Sequence, residues 1–459
     1  MEDFMKLIYN VNDKPKFPQL IVFAIQQLLA IMAATLVVPV IINNSAADYG
    51  YANPAMSSAA ALLGAGIGTI VYLLFTKFRS PVFLGSSCAF IGSMCAAFAG
   101  AATIGLGYLG LVIGAILAGL VYVIIAILVK FVGVNWLNKL MPPVVVGPTV
   151  AIIGLSLAGN AIGDLGSAPA GGHTLVALLC GLVTFVAVVL ASTFGKKMAK
   201  LIPFIIGILS GYAFALVLTV IGNLAGIDAI KVINFGALQA LVADGVNLNT
   251  FVSVPDFTFV KAFGAFGEIN VEYIVTLIAA YVPVSMVVFA EHIADHKNIS
   301  SIIEKDLLED PGLDKTLLGD GVGSMTGAFF GGCPNTTYGE SVACVAITGN
   351  ASVATIFTAA IGAILIAFLS PFVAFVNSIP SCVMGGVCMA LYGFIAVSGL
   401  KMIQKVNLEE NKNLFVVSAI LISGIGGLTL NFGNVTITTT ACALILGILT
   451  NLLLSKKKA

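Results

Sequence analysis

Apolar segments long enough to cross a lipid bilayer recur along almost the whole chain, with short polar or charged stretches between them. A membrane-crossing helix needs about 20 consecutive apolar residues. Segments that meet or approach this length lie at about 19–42, 56–76, 83–100, 103–130, 142–162, 172–194, 201–225, 271–293, 315–331, 334–349, 352–376, 380–398, 413–430 and 434–455. The pattern predicts an all-α polytopic membrane protein with 14 transmembrane segments, several of them short or broken by Gly and Pro.

Composition supports this class and excludes a soluble protein with a charged surface. Of 459 residues, 59% are hydrophobic and only 9% are charged. A globular protein of this size needs far more charge to cover its surface. The net charge is zero, so nothing points to a nucleic-acid partner. The 8 Cys lie in apolar runs without closely paired spacing, which is typical of buried thiols rather than metal ligands or disulfides.

The placement of basic residues predicts the orientation. If the segments alternate sides, 19 of the 21 Lys and Arg collect on one side, and only Lys231 and Lys261 lie on the other. The positive-inside rule then places both termini in the cytoplasm of a multi-pass cell-membrane protein. The first apolar run, about 19–42, is too long for the core of a cleavable signal peptide.

The longest outer loop, about 226–270, divides one membrane transport domain (1–459) into two halves of seven segments, repeat one at 19–225 and repeat two at 271–455. An odd number of segments per half reverses their orientation, which predicts a 7+7 inverted repeat. Segments 3 and 10 begin in matching ways, at Pro81–Cys88 and Pro334–Glu340.

Each of these two stretches predicts a short extended strand followed by a half-helix. Paired broken segments indicate a transporter's binding site, because half-helix N-termini offer free N–H groups and positive dipole ends. The alternative is a pair of Gly-rich helix contacts made for packing.

Three carboxylates lie within predicted segments, away from their ends: Glu291, Asp320 and Glu340. Ionisable residues at membrane depth favour a functional role, and no Lys or Arg is placed there with them. Asp320 follows Gly319 and is interpreted as a helix cap. Glu291 is placed near the inner end of its segment, so a water-exposed terminal position is the alternative. A carboxylate that exchanges protons beside a broken helix is what proton coupling requires.

Two stretches carry a family resemblance: Ala280–His296, which contains Ala290-Glu291-His292, and Pro334–Ser341, which contains Asn335 to Glu340. Together they resemble the uracil permease branch of the nucleobase–ascorbate transporter family. That family has Ala-Glu-His on its eighth helix and Asn-Thr-Thr-Tyr-Gly-Glu on its tenth. The resemblance runs over most of the chain and includes further stretches at 84–90, 310–313, 383–387 and 391–393.

The resemblance implies proton-coupled uptake of uracil by a transporter, not an enzyme, without a cofactor. It also implies alternating access, a homodimer, and a core domain that moves beside a gate domain. The core would comprise segments 1–4 and 8–11, about 19–130 and 271–376. The gate would comprise segments 5–7 and 12–14, about 142–225 and 380–455.

The chemistry of the predicted site matches a flat neutral ring with N–H donors and carbonyl acceptors. Carboxylates accept hydrogen bonds when ionised, and backbone N–H groups at the half-helix starts donate. This inventory suits uracil and equally one edge of xanthine, so other nucleobases remain an alternative. The predicted substrate-binding residues are Glu291, Glu340, Gly339, Tyr338, Ser87, Cys88 and Phe90. The predicted proton-coupling residues are Glu291 and Asp295, and no metal ligand is predicted.

The sequence departs from the family pattern at three places. Asp295 stands where members often have His, Gln26-Gln27 stands where they often have Gln-His, and Cys88 replaces a commonly aromatic residue. A side-chain contact made by the usual His is not expected at Asp295. The backbone role at Cys88 survives its change.

Two other function classes compete. An anion exchanger of similar inverted-repeat architecture often has a large C-terminal domain, and few residues follow the last segment here. Two acidic site residues would also repel an anion. A zinc intramembrane protease is suggested by His292-x-x-Asp295-His296, but its acid is Asp rather than Glu.

Overall fold

The structure is a computed structural model that describes residues 7–48, 56–133, 135–169, 171–196, 198–243, 245–432 and 435–455. Lys6, Lys197, Asp244 and Lys456–Lys458 lie outside the described residues. The helices are α1 Phe17–Asp48, α2 Ser58–Phe75, α3 Ile91–Ala99, α4 Ile104–Val132, α5 Asn135–Leu140, α6 Pro143–Ser156, α7 Ala158–Leu165, α8 Thr174–Phe194, α9 Met198–Leu201, α10 Pro203–Ala225, α11 Gly236–Ala240, α12 Leu248–Phe251, α13 Thr258–Ala262, α14 Val271–Ile303, α15 Leu313–Gly331, α16 Gly339–Thr348, α17 Val353–Ala367, α18 Ser370–Ser378, α19 Ser381–Ile403, α20 Asn411–Ile425 and α21 Thr439–Ser455. Four short strands complete the fold: β1 Leu84–Ser86, β2 Asn335–Thr337, β3 Leu430–Phe432 and β4 Val435–Ile437.

Within the described residues, eight helical stretches are long and apolar enough to cross a membrane: α1, α2, α4, the α6–α7 pair, α8, α10, α14 and α19. The protein is therefore a mostly helical multi-pass membrane protein. The remaining predicted segments contain shorter apolar helices or α15, which carries several polar residues.

Three predicted segments differ in detail. The segment at 352–376 is broken between α17 and α18, because Pro371 begins a new helix. The segment at 142–162 is divided at Leu157 into α6 and α7. The segment at 434–455 begins in a β3–β4 hairpin, and its helix starts only at Thr439.

Helix α14 is 33 residues long and continues past the predicted end at 293 to Ile303. The placement of Glu291 near the end of its helix is therefore wrong, since three helical turns follow it. Beyond α14, Asp310 accepts from Lys305 Nζ at 2.8 Å and from Arg79 at 2.6 Å. These two cations hold the pKa of the exposed Asp310 carboxyl below its usual value, so it is ionised at neutral pH and joins the loops after α2 and α14.

Small residues allow close helix packing in two separate groups. In the first group, α15 packs on α2 and α4, and a Cβ at Gly64 would lie 2.4 Å from the carbonyl oxygen of Gly327. In the second group, α19 packs on α6 and α8, and a Cβ at Gly154 would lie 2.4 Å from the carbonyl oxygen of Tyr392. Backbones that approach this closely are typical of membrane helix interfaces.

The predicted extended stretches are present as β1 and β2, which pair antiparallel with Leu84 opposite Thr337 and Ser86 opposite Asn335. Buried backbone in a membrane protein must find internal partners. The outer edge of β1 is satisfied by Thr69 Oγ1, which accepts from Leu84 N at 2.9 Å and donates to Leu84 O at 3.1 Å. Each strand leads directly into the first turn of a helical segment.

The chain before α1 lies against the far end of α16. Tyr9 bridges Asn350 in parallel, and Ala351 N donates to Tyr9 O at 2.9 Å. Ser352 Oγ donates to Asp13 O at 2.5 Å. The C-terminal end of α16 and the N-terminal segment therefore lie on the same side of the molecule.

Candidate functional site

A cavity of about 470 Å³ lies where the starts of the two broken segments meet α14 and the second helix group. It is lined by seven of the eight predicted site residues: Ser87, Cys88, Glu291, Asp295, Tyr338, Gly339 and Glu340. The structure thus brings together residues that lie far apart in the sequence. Phe90 is not among the lining residues.

The first turn of α16 presents backbone donors to the cavity. Val342 N is bonded to Tyr338 O at 3.2 Å, and the N–H groups before it have no partner within the helix. Gly339 is exposed at the cavity wall, and Glu340 is half-buried beside it. The start of α16 therefore presents backbone N–H donors and the Glu340 carboxylate to the cavity, as the sequence predicts.

The ring of Tyr338 is buried and held in place by hydrogen bonds, so it is not free to stack on a ligand. Its side chain is 5% exposed, its hydroxyl donates to Ser86 O at 2.7 Å, and it accepts from Thr35 Oγ1 at 3.3 Å. The ring lies against Gly85, where a Cβ would be 2.4 Å from it. Tyr338 therefore fixes β1 against the start of α16 and shapes the cavity from behind.

Phe90 lies one layer behind the cavity. It is 2% exposed and stacks on Tyr281, with ring centroids 5.7 Å apart and planes at 23°. Ser87, by contrast, is buried and lines the cavity, and its hydroxyl has no hydrogen-bond partner among the described residues. Buried polar atoms are nearly always satisfied, so this hydroxyl is available to a bound molecule.

The two carboxylates on α14 line the cavity one turn apart. Asp295 Oδ2 accepts from Thr337 Oγ1 at 2.7 Å, which links α14 to β2. A Cβ at Gly339 would lie 3.7 Å from Asp295 Oδ1, so this carboxylate also reaches the start of α16. In the sequence Thr337 indicates only an extended backbone, so this contact could not be predicted.

A serine joins three elements behind the site. Ser341 Oγ accepts from Phe83 N at 3.1 Å and from Nε2 of Gln27 on α1. In the sequence, Gln27 differs from a family pattern and nothing else predicts its role. Its buried amide bonds α1 to the first turn of α16 and, through Ser341, to Phe83 just before β1.

The interpretation of Asp320 as a helix cap is wrong. Asp320 lies inside α15, is fully buried, and its Oδ2 is 2.7 Å from Nδ1 of His292. His292 Nε2 is 3.1 Å from Thr316 Oγ1. The buried partner of Asp320 is thus His292 and not a Lys or Arg.

The same contacts argue against the zinc protease alternative. His296 Nε2 lies 2.6 Å from the hydroxyl of Tyr72, and its Nδ1 lies 2.8 Å from His292 O. Asp295 bonds to Thr337 instead of joining the two imidazoles. In the part of the chain that the structure describes, no group of three His, Cys, Asp or Glu side chains could hold a metal ion.

The opposite wall of the cavity belongs to α6, α8, α9, α10 and α19. It is largely apolar, with Val146, Phe204 and Phe394 among its members. Its polar side chains are Ser192, Ser398 and Lys200. The acidic residues therefore all lie on the first helix group, and the basic one on the second.

Comparison with known proteins identifies the family. Residues 18–432 match the family model described as "Permease family" (Xan_ur_permease). The uracil permease of Bacillus caldolyticus is 36% identical over 452 residues, covering 98% of this chain and 95% of that protein. The uracil permease of Bacillus subtilis (strain 168) is 35% identical over 461 residues, covering 99% and 96%.

Solved structures share the fold. The transmembrane domain of a cyanobacterium bicarbonate transporter, BicA, aligns with a TM-score of 0.59 at 15% identity, over 97% of this chain and 100% of that chain. The family match spans most of the sequence, and the relatives exceed 30% identity over nearly its full length. This chain therefore belongs to the nucleobase–ascorbate transporter family, whose members are membrane permeases rather than enzymes.

Proposed function

We propose that the protein takes up uracil across the cell membrane in symport with protons. The observation that carries this proposal is the cavity in which Glu291, Glu340 and the first N–H groups of α16, which have no backbone partner in that helix, converge. Uracil is small, flat and neutral, with two N–H donors and two carbonyl acceptors. Acceptors from carboxylates and donors from the α16 backbone complement it. The names of the relatives support uracil over other bases.

The substrate site in this proposal is formed by Glu291, Glu340, Gly339, Cys88 and Ser87. The first four offer carboxylates and exposed backbone at the cavity wall, and Ser87 adds a hydroxyl that needs a partner. Tyr338 and Phe90 shape the site, Tyr338 through its bond to Ser86 and Phe90 from the layer behind.

Glu291 carries the proton in this proposal, and Asp295 assists it. Three carboxylates in one cavity repel one another, so the site holds a proton more readily than an isolated carboxylate in water. Protonation would allow the loaded site to move past the apolar wall without net charge. Asp295, held by Thr337, replaces the His common at this position.

The division into two helix groups supports alternating access in this proposal. The group around α2, α4, α14 and α15 corresponds to the core, and the group around α6, α8 and α19 corresponds to the gate. The cavity lies between them and is lined by Lys200 and Met402, near the basic loops. With the termini in the cytoplasm and 14 segments in a 7+7 inverted repeat, this is an inward-open form. We also propose a homodimer, which cross-linking in native membranes would test.

The alternatives are weaker. Xanthine presents a similar edge and remains the second candidate substrate. An anion exchanger shares the fold, but three carboxylates in the cavity disfavour a bound anion.

Uptake of labelled uracil into proteoliposomes tests the proposal. We expect accumulation when an inward proton gradient is imposed and its loss when an ionophore collapses the gradient. Unlabelled uracil should compete strongly, and unlabelled xanthine weakly. Uptake that does not respond to the gradient would remove proton coupling, and competition by bicarbonate or sulfate instead of uracil would favour the exchanger.

A further inference from the structure

Charge is distributed unequally between the two walls of the cavity. Glu291, Asp295 and Glu340 lie on α14 and α16, in the proposed core. Lys200 lies on α9, in the loop that joins α8 and α10 of the proposed gate. It is the one basic side chain among the described residues that line the cavity. If the core moves relative to the gate, the three carboxylates and Lys200 would move apart in each transport cycle.

Helix α9 packs against α1, α8, α10 and α16. Among the described side chains of these four helices, Glu340 is the one acidic residue. Next to α9, Ile202 packs against the buried pair of Ala30 on α1 and Cys344 on α16, and Cys344 lies one turn after Glu340. The packing therefore places the Lys200 segment beside the half-helix that carries Glu340. Two further charged residues, Glu291 and Asp295, line the same cavity. The remaining titratable residues that line it are Cys88 and Tyr338.

We propose that Lys200 is the counter-charge of the acidic site when the cavity is open toward α9, and that it promotes proton release on that side. The proposal rests on the proposed proton symport. A nearby cation stabilises ionised carboxylates and therefore weakens proton binding. Because Lys200 stays with the gate, its effect is confined to the inward-open form. The outward-open site, away from Lys200, would keep a higher affinity for the proton.

The pH dependence of uracil binding to purified protein tests this directly. If uracil binds the protonated site, its affinity falls as pH rises. In Lys200→Gln the midpoint of that fall should move to higher pH by roughly half a unit or more, because the ionised site has lost its counter-charge. Lys200→Arg should restore the wild-type profile. Lys196→Gln is the matched control, since Lys196 is exposed on the same segment and does not line the cavity.

Transport separates the proton step from binding. Lys200→Gln should slow gradient-driven net uptake at least about threefold and leave uracil exchange unchanged, because exchange does not require proton release. Raising the internal pH should restore net uptake. A Lys200→Gln profile that coincides with those of wild type and Lys196→Gln would overturn the role of Lys200. Failure of the wild type to bind uracil would instead overturn the proposed function.

Discussion

The contact between Gly85 and the ring of Tyr338 gives a sharp test of how the site is held together. A Cβ at Gly85 would lie 2.4 Å from Cζ and 2.5 Å from Cε2 of Tyr338. Carbon atoms in contact are normally about 3.5–4.0 Å apart, so Gly85→Ala requires a shift of roughly 1 Å or more. The ring cannot turn away freely, because its hydroxyl is bonded to Ser86 and Thr35.

The strand β1 or the start of α16 must therefore move. Overpacking of this kind costs roughly 1–3 kcal/mol in the free energy of unfolding. The shift also displaces Ser87, Cys88 and Gly339 at the cavity wall. We expect uracil affinity to fall at least about tenfold, which corresponds to about 1.4 kcal/mol.

Calorimetric titration with uracil and thermal unfolding in one detergent measure both effects. Gly92→Ala is the matched control, because it is nearby on α3 and a Cβ there meets nothing within 4 Å. This variant should bind like wild type and melt at the same temperature or slightly higher. If Gly85→Ala behaves like Gly92→Ala, the tight β1–Tyr338 packing is not needed for the site and the reasoning fails.

Three further predictions concern the carboxylates. Glu340→Ala should weaken uracil binding at least about tenfold in calorimetry, since a half-buried acceptor on the cavity wall is lost at roughly 1–3 kcal/mol; wild-type affinity would remove Glu340 from the site. Glu291→Gln imitates the protonated carboxyl, so it should abolish uracil accumulation in proteoliposomes and keep uracil exchange. Asp295→Asn should only shift the pH dependence of uptake. Full proton-driven accumulation by Glu291→Gln would place proton coupling at another residue. Asp320→Ala should lower the free energy of unfolding by roughly 1–3 kcal/mol, because His292 Nδ1 loses its acceptor, and unchanged thermal stability would contradict a structural role for the pair.

The two broken segments could be predicted from sequence because their signals are local. Pro334 and the run from Asn335 to Glu340 indicate an extended stretch and a helix start, and both are observed. The pairing of β1 with β2 was not predicted, since register depends on how distant segments meet. The seven predicted site residues that line the cavity follow from these local signals and from the family resemblance.

The contacts behind the site could not be predicted because they join distant parts of the chain. The end of α14 looks polar in sequence, but His292 and His296 are buried against Asp320 and Tyr72. No periodic pattern of apolar and polar residues predicts such buried polar partners. Lys200 likewise falls between two predicted segments, and its place on the cavity wall depends on the packing of α9 against α16.

The pairing of β1 with β2 also constrains how the protein is made. β1 is synthesised about 250 residues before its partner, and a ribosome that adds about 5–20 residues per second needs on the order of ten to fifty seconds to reach β2. During that interval the backbone groups of β1 that face β2 must be hydrated or covered by the insertion machinery, because lipid offers them no partner. The binding site therefore closes late in biogenesis, and the first repeat made as a separate polypeptide has to find the second before the backbone of β1 is satisfied.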